Sequence, residues 1–160
     1  IYLFAAIQKE NNKEQEELDE YNAMSESERL EKLIENFEED FEENLGDLTK
    51  AQKRLIVEAA PHFARTRGNW LEYRVTMQNE ARRLFASRQN TEVFQQKLTH
   101  LLTHPDDYRS EEYLTLRKAN REAYLSLAVE LASTMTENQK SHLLERLKDI
   151  IEDIKDLQDD

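Results

Sequence analysis

The chain has 160 residues, enough for one domain with a real core, and no cysteine, which excludes disulfides, Cys-ligated zinc and thiol chemistry within it. Only two glycines and two prolines occur; because sheet turns consume both, the composition favours helices. The formal net charge is −12, yet acidic ends (residues 8–47 and 137–160) flank a basic middle (residues 48–136), a pattern that disfavours nucleic acid as the partner.

The first predicted helix spans residues 2–22 and is acidic. Its apolar opening, residues 1–7, is far shorter than the roughly 20 residues of a membrane span, so we interpret it as the truncated start of a helix. The chain starts without Met, which is compatible with removal of a leader or an anchor. From residue 8 to residue 20 only Leu18 is apolar, and a helix this polar is not stabilised by packing. We therefore expect a single domain over residues 1–160, in which residues 1–22 project or are partly disordered.

Three predicted helix starts carry a capping box, in which a Ser or Thr and a Glu or Gln three residues later bond each other's backbone N–H groups. The pairs are Ser25 with Glu28, Thr49 with Gln52, and Thr136 with Gln139. The helix after Ser25 has apolar residues spaced by three and four from Leu30 to Leu45 and should end at Gly46. The helix after Thr49 should kink or break near Pro61, and residues 65–69 are a loop or a bend.

The fourth predicted helix has an apolar face that begins with Trp70 and Tyr73, and an arginine face. The arginines are Arg74, Arg82, Arg83 and Arg88. Either the acidic helices pack beside these arginines and satisfy them within the fold, or the arginines form an exposed basic strip that binds an anionic or protein partner. Trp70 and Tyr73, beside Arg65 and Arg67, could also stack on bases, but a core-facing helix needs the same aromatic spacing, and we favour the core.

The remaining helices are predicted from their caps and breakers. A short fifth helix begins at Asn90 or Thr91 and ends at Pro105, and a sixth begins at Ser110. Asn120 lies among apolar neighbours on the sixth helix; it is either buried with a backbone partner, which we favour, or near a pocket. Short connections place successive helices antiparallel, so the predicted fold class is all-α, a bundle of about six or seven antiparallel helices.

No catalytic site is recognisable and no cofactor is implied. Two isolated glycines cannot form a phosphate-binding loop, and no Ser lies in a nucleophile turn. His100 and His104 lie four residues apart, a spacing that can hold a metal ion with Asp106 or Asp107 as a third ligand. The alternative, which we favour, is a surface pair near a helix C-terminus, where a protonated histidine meets the helix dipole favourably.

Two resemblances follow from these motifs. The starts Leu48–Gln52 and Met135–Gln139 resemble the LTxxQ signature of small all-α periplasmic proteins (Spy/CpxP-like), the second with Met in place of Leu. More of the chain resembles a family of Gram-negative all-α envelope lipoproteins of unknown function. The residues that carry this second resemblance are residues 38–60 with Gly46, Thr49 and Gln52, then Leu101, Leu102, Pro105, Tyr108, Arg109, Asn120 and the closing Thr-x-x-Gln helix. It implies a periplasmic protein attached to the outer membrane through a lipidated N-terminal cysteine, which this chain lacks, and it brings no catalytic residues.

The preferred interpretation is a non-enzymatic envelope protein that binds a protein or peptide partner, in one version as a chaperone. Its candidate contacts are Trp70, Tyr73, Arg74, Arg82 and Arg83, with Phe85 along one edge. An assembly module is the first alternative: its acidic first helix would pair with another helix in a homodimer and bury Tyr2, Leu3 and Phe4. A metal-responsive periplasmic protein that uses His100 and His104, and an enzyme of unknown type, are the others. Membrane contact is expected only through the lipid anchor.

Overall fold

A computed structural model describes the backbone of residues 2–159 and the side chains of residues 6–157. The described backbone contains seven α-helices and no strand, which confirms the predicted all-α class. The helices are α1 (Tyr2–Ala23), α2 (Glu26–Leu45), α3 (Lys50–Ala59), α4 (Arg67–Ala86), α5 (Thr91–Thr103), α6 (Glu111–Ser133) and α7 (Glu137–Asp159). Two 3-10 turns, Ala60–His62 and Pro105–Tyr108, follow α3 and α5.

The helix ends follow from local chemistry. Pro61 and Pro105 each sit at the start of a 3-10 turn, where the missing N–H of proline costs no α-helical hydrogen bond. Gly46 ends α2 with a φ of 74°, and its N–H donates to the Glu42 carbonyl oxygen at 2.8 Å. Residues 65–69 are only partly a loop, since α4 begins at Arg67 and includes Gly68.

The described chain forms two compact units, each built from two separate stretches of sequence. Unit 1 comprises Ile1–Met24 and Ala64–Asn120, and unit 2 comprises Ser25–Phe63 and Arg121–Asp160. Helix α6 thus supplies its first turns to unit 1 and the rest to unit 2. The prediction of a single domain over residues 1–160 stays a prediction.

Unit 2 has an apolar core whose buried members come from α2, the loop after it, α3 and α6. Its buried members are Phe41, Leu45, Leu48, Ile56, Leu127 and Leu131. Aromatic contacts extend this core: the Phe41 ring stacks on Tyr124 at a centroid distance of 5.5 Å, and Phe37 meets Phe63 at 4.6 Å. The row of apolar residues on α2 therefore faces the core, as expected for an amphipathic helix.

Two buried glutamines sit beside this core. Gln52 and Gln139 expose 0% and 4% of their surface, and their amides pair reciprocally: each Nε2 donates to the other Oε1, at 3.0 and 2.9 Å. Each Oε1 also accepts the backbone N–H of the Thr three residues earlier, Thr49 or Thr136. The second protons of the two amides go to the backbone carbonyls of Thr134 and Asp47. Every polar atom of both buried amides is thereby satisfied, which burial demands.

The three capping boxes have their reciprocal bonds in the structure. Thr49 and Thr136 each accept the backbone N–H of their glutamine at 3.2 Å. Ser25 accepts the N–H of Glu28 at 3.2 Å and donates its own N–H to that carboxylate at 2.7 Å. The first box is exposed, whereas in the other two the glutamine is buried. Sequence spacing predicted the local bonds of all three.

In unit 1, polar contacts join α1 to α4. Asn11 and Gln78 exchange hydrogen bonds at 2.6 and 3.2 Å, and Glu14 accepts from Arg74 at 3.1 Å. Arg67 donates to Glu17 at 2.6 Å. Residues 1–22 were expected to project or be partly disordered, but the described part of α1 is a continuous helix that lies on α4. The expectation was based on the lack of an apolar stripe in α1. In the structure, polar side chains that recur once per turn make the contact with α4 instead.

Asn120 behaves as predicted, because both of its amide groups bind backbone. Its Nδ2 donates to the Ala64 carbonyl oxygen and its Oδ1 accepts from the Ala64 N–H, both at 2.8 Å. The side chain is partly buried and ties α6 to the loop that precedes α4 within unit 1.

We expect Gln139→Leu to lower the free energy of unfolding by about 2–4 kcal/mol, because it removes one hydrogen-bond partner from each polar atom of the buried Gln52 amide and removes the amide that binds the Asp47 carbonyl. Urea denaturation followed by circular dichroism measures this. The double variant Gln52→Leu with Gln139→Leu should cost less than the sum of the two single variants, since it removes both amides together. The exposed Gln95→Leu is the matched control, expected within about 0.5 kcal/mol of wild type; additive single costs would contradict the reciprocal pair.

The exposed capping box predicts a pH effect. Hydrogen bonds from the Ser25 side chain and then its backbone N–H hold the pKa of the Glu28 carboxyl below its usual value. A carboxyl with a lowered folded-state pKa stabilises the fold above its unfolded-state pKa, and this contribution is lost as the pH falls through the folded-state value. Ser25→Ala should raise the pKa of Glu28, as measured by NMR titration of the carboxyl carbon. An unchanged pKa would show that the hydroxyl does not bind the carboxylate in solution.

Candidate functional site: a cleft between α4 and α5

The first part of the arginine face of α4 is engaged within unit 1. The Arg74 guanidinium binds Glu14 and lies over the Trp70 ring, 5.3 Å from its centroid. Arg67 likewise forms an ion pair with a glutamate of α1, Glu17. These contacts agree with the interpretation in which acidic residues satisfy the arginines within the fold. The Arg74 guanidinium is therefore already bound inside unit 1.

The aromatic pair on α4 divides between surface and interior. Trp70 is 38% exposed, whereas Tyr73 is partly buried and its ring centroid lies 6.3 Å from that of Tyr113. Arg109 covers the Tyr73 ring at 4.4 Å and contacts Asp106, with only 14% of its side chain exposed. Tyr73 is therefore part of the packing of unit 1, as favoured, while Trp70 lies nearer the surface than a core residue should.

An open cleft of about 550 Å3 lies between the end of α4 and α5 in unit 1. It is lined by Glu80, Arg83, Leu84, Ser87, Gln96, Lys97, His100 and Tyr108. Helix α4 supplies the first three of these residues, and Ser87 follows its last residue. Helix α5 supplies the next three, and the 3-10 turn after α5 supplies Tyr108. The cleft thus brings together Arg83 and His100, which the sequence had assigned to two different hypotheses.

The charges of the cleft are mixed, with an excess of cationic groups. Arg83 contacts Glu80, yet 75% of its side chain is exposed, so its guanidinium stays accessible. Lys97 is exposed on the facing helix. Leu84, 8% exposed, supplies the apolar part of the lining. A ligand that offers a carboxylate beside an apolar group matches these chemistries.

The two histidines of the metal hypothesis stack on each other at the end of α5. Their ring centroids are 4.5 Å apart and their planes differ by 16°. The His100 Nε2 is 2.9 Å from the Asp107 carboxylate, and the His104 Nδ1 is 2.8 Å from the Thr103 hydroxyl. Among the described residues no three His, Asp, Glu or Cys side chains are grouped so that they could hold a metal ion. His100 instead borders the cleft, where its partner Asp107 orients the ring.

A smaller cavity of about 300 Å3 lies in unit 2. Its lining is Leu55, Glu58, Ala59, His62, Ala123, Ser126, Leu127 and Glu130. Its carboxylates, Glu58 and Glu130, have neither Arg nor Lys opposite them in the lining. The cavity therefore lacks the convergent polar groups of opposite charge that the α4–α5 cleft has.

Sequence reasoning missed most of the cleft. Glu80, Gln96 and Lys97 belong to no motif, Ser87 has no role in the sequence analysis, and Tyr108 enters it only through the resemblance to envelope lipoproteins. The pocket depends on how α5 packs against α4, as in the edge-to-face contact of Phe85 and Phe94 at 5.4 Å. Arg82 is exposed and does not line the cleft. Tyr2, Leu3 and Phe4, the dimer contacts of the assembly hypothesis, lie outside the described side chains.

Fold and site together define an all-α protein with an open, mixed-charge cleft on one of its two units. The chain belongs to the family of unknown function DUF6279, which matches residues 4–114. The whole cleft lies inside the matched segment, and α7 lies beyond it. No curated protein and no solved structure matches the chain. Within the described residues, none of the helices has the length and apolarity that a membrane crossing requires.

The structure predicts different roles for two arginines of unit 1, Arg109 and Arg83. Arg109→Ala should lower the free energy of unfolding by about 1–3 kcal/mol, because it removes a half-buried ion pair and the cation that covers Tyr73. Arg83→Ala should change it by less than about 0.5 kcal/mol, since that side chain is exposed. Thermal and urea denaturation distinguish the two variants. Equal destabilisation would refute this division of roles.

Proposed function

We propose that the protein is a non-catalytic binding protein of the Gram-negative envelope, which holds a peptide segment of a protein partner in the α4–α5 cleft. One observation supports the proposal above all: the cleft places the accessible Arg83 and Lys97 beside the apolar Leu84 in an open volume of about 550 Å3. Clefts with few convergent polar groups on an apolar lining are the usual form of a binding site.

The composition of the lining favours a peptide that carries a carboxylate next to an apolar side chain. Arg83 can bind the carboxylate with two parallel hydrogen bonds, and Lys97 adds a second positive charge from the facing helix. Gln96 and Ser87 can donate to and accept from a peptide backbone. The open form of the cleft suits an extended segment rather than an enclosed small molecule.

The proposed location rests on resemblance. The two Thr-x-x-Gln helix starts resemble those of periplasmic LTxxQ proteins, and the wider set of motifs resembles envelope lipoproteins. A periplasmic protein anchored to the outer membrane through a lipid would present such a cleft to envelope partners. A chaperone-like version of the proposal is supported by exposed apolar side chains in unit 1, among them Phe85 and Leu102 at 47% and 69% exposure.

Fluorescence anisotropy with short labelled peptides tests the proposal. One set pairs Leu or Phe with Asp or Glu, and a second set replaces each acid by Lys. The purified chain should bind the acidic set at micromolar concentrations, and more weakly as salt rises, because the contacts are ionic. The double variant Arg83→Ala with Lys97→Ala should weaken this binding at least about tenfold.

Arg88→Ala is the control. Arg88 is exposed beyond the end of α4, and its substitution removes one positive charge without changing a residue that lines the cleft. Its affinity for the acidic peptides should stay within about twofold of wild type. Equal binding of acidic and Lys-containing peptides, or full binding by the double variant, would reject the cleft as the peptide site.

A further inference from the structure

Two acids of unit 1 bind basic side chains of the α4–α5 cleft. Within α4, Glu80 forms an ion pair with Arg83, three residues later in the sequence. At the end of α5, Nε2 of His100 lies 2.9 Å from the carboxylate of Asp107. Lys97 also lines the cleft, and it forms no ion pair within the part of the chain that the structure describes. A carboxylate that enters the cleft therefore meets an unpaired lysine and an arginine that is already bound by its own helix.

The Glu80 carboxylate is placed as a competitor for the Arg83 guanidinium. Both side chains line the cleft, and a spacing of three residues puts them on the same face of α4. Glu80 exposes 31% of its side chain, whereas Arg83 exposes 75%. The carboxylate is thus the more enclosed partner, and the guanidinium is the one that a ligand can reach.

The strength of this ion pair allows exchange with a ligand. Exposed ion pairs at this spacing on a helix are weak, so a second carboxylate can replace Glu80 at little cost. Because Glu80 is tethered beside Arg83, it nevertheless competes at a high effective concentration, which a free carboxylate in solution does not match. A peptide overcomes this competition, because contacts with Lys97 and Leu84 hold its carboxylate beside Arg83 as well.

We propose that Glu80 is an internal competitor of the peptide carboxylate: it binds Arg83 in the unliganded protein and is displaced when the peptide binds. This inference rests on the proposed function of the cleft and adds a residue that sets its affinity. Glu80 also contributes to specificity, since it favours peptides, which are held at several points, over small carboxylate ions.

Two other roles for Glu80 make different predictions. If its carboxylate holds Arg83 in the orientation that binds the peptide, its removal weakens peptide binding, because the guanidinium loses its preorganised geometry. If Glu80 acts only through its charge, its removal strengthens binding whether or not Arg83 is present. The direction of the effect and its dependence on Arg83 therefore separate the three roles.

Fluorescence anisotropy with the full chain and the labelled acidic peptides tests the competition. Glu80→Gln keeps the size of the side chain and removes its charge. It should lower the Kd of the acidic peptides about threefold to fivefold, the upper part of the range for release of an exposed ion pair. In the Arg83→Ala background, the same substitution should change the Kd by less than about 1.5-fold, because the guanidinium for which Glu80 competes is gone.

Glu72→Gln is the matched control, with the same substitution on the same helix. Glu72 is exposed, lies about 12 Å from Glu80 along the axis of α4, and does not line the cleft. Its Kd should stay within about 1.5-fold of wild type at physiological salt, because screening there acts over about 8 Å. All these variants should keep the helical circular dichroism of the wild type.

The ion pair has a test of its own without peptide. In NMR spectra of the free chain, the side-chain resonances of Arg83 should shift in Glu80→Gln and stay in place in Glu72→Gln. If the wild type selects acidic peptides, an unchanged or higher Kd for Glu80→Gln, an equal gain in the Arg83→Ala background, or unshifted Arg83 resonances would overturn this inference alone. If neither the wild type nor Glu80→Gln binds any acidic peptide, the proposed function is rejected and the competitor role with it.

Discussion

Unit 2 depends on a pair of buried amides. Gln52 and Gln139 begin helices that are 87 positions apart in sequence, yet each side chain caps its own helix and completes the hydrogen bonds of the other. The Asp47 and Thr134 carbonyls, which lie just before the two helices, are bound by the same amides. The pair thereby joins the start of α3 to the start of α7, and each helix start to the loop that precedes the other. The amide pair and the apolar core thus fix the same helices, the first through hydrogen bonds at the helix starts and the second through packing.

Unit 1 solves the same problem differently. Among the described side chains, its α1–α4 contact includes Asn11, Glu14 and Glu17 with their amide and guanidinium partners. Partly exposed ion pairs contribute modestly to stability, so this contact gains more from repetition along the helix than from any single pair. Glutamates of the acidic N-terminal segment thus lie opposite arginines of the basic middle of the chain. The net charge of the whole chain does not reveal this pairing, because it sums the two segments.

Local features were predictable from sequence, and long-range features were not. The capping boxes at Ser25, Thr49 and Thr136 involve residues three apart, so spacing alone revealed them. The Asn120 prediction also held, because an amide among apolar neighbours needs a partner wherever it lies. The amide pair and the α4–α5 cleft join side chains whose proximity depends on how helices pack, and no local pattern encodes that packing. Arg83 and His100 were both singled out, but their meeting in one cleft required the fold.

The interleaved build of the two units has a consequence for the order in which the protein can fold during synthesis. All of the chain of unit 1 has been made once residue 120 has emerged, whereas unit 2 waits for residues 121–160. Until α6 and α7 are available, Gln52 lacks the amide of Gln139, and Ile56 lacks the two α6 members of its core cluster, Leu127 and Leu131. Unit 1 can therefore form while α2 and α3 remain an inserted segment without a core. In this interval α2 and α3 lack the residues of α6 and α7 that complete unit 2, so a factor that protects the growing chain has to cover these two helices.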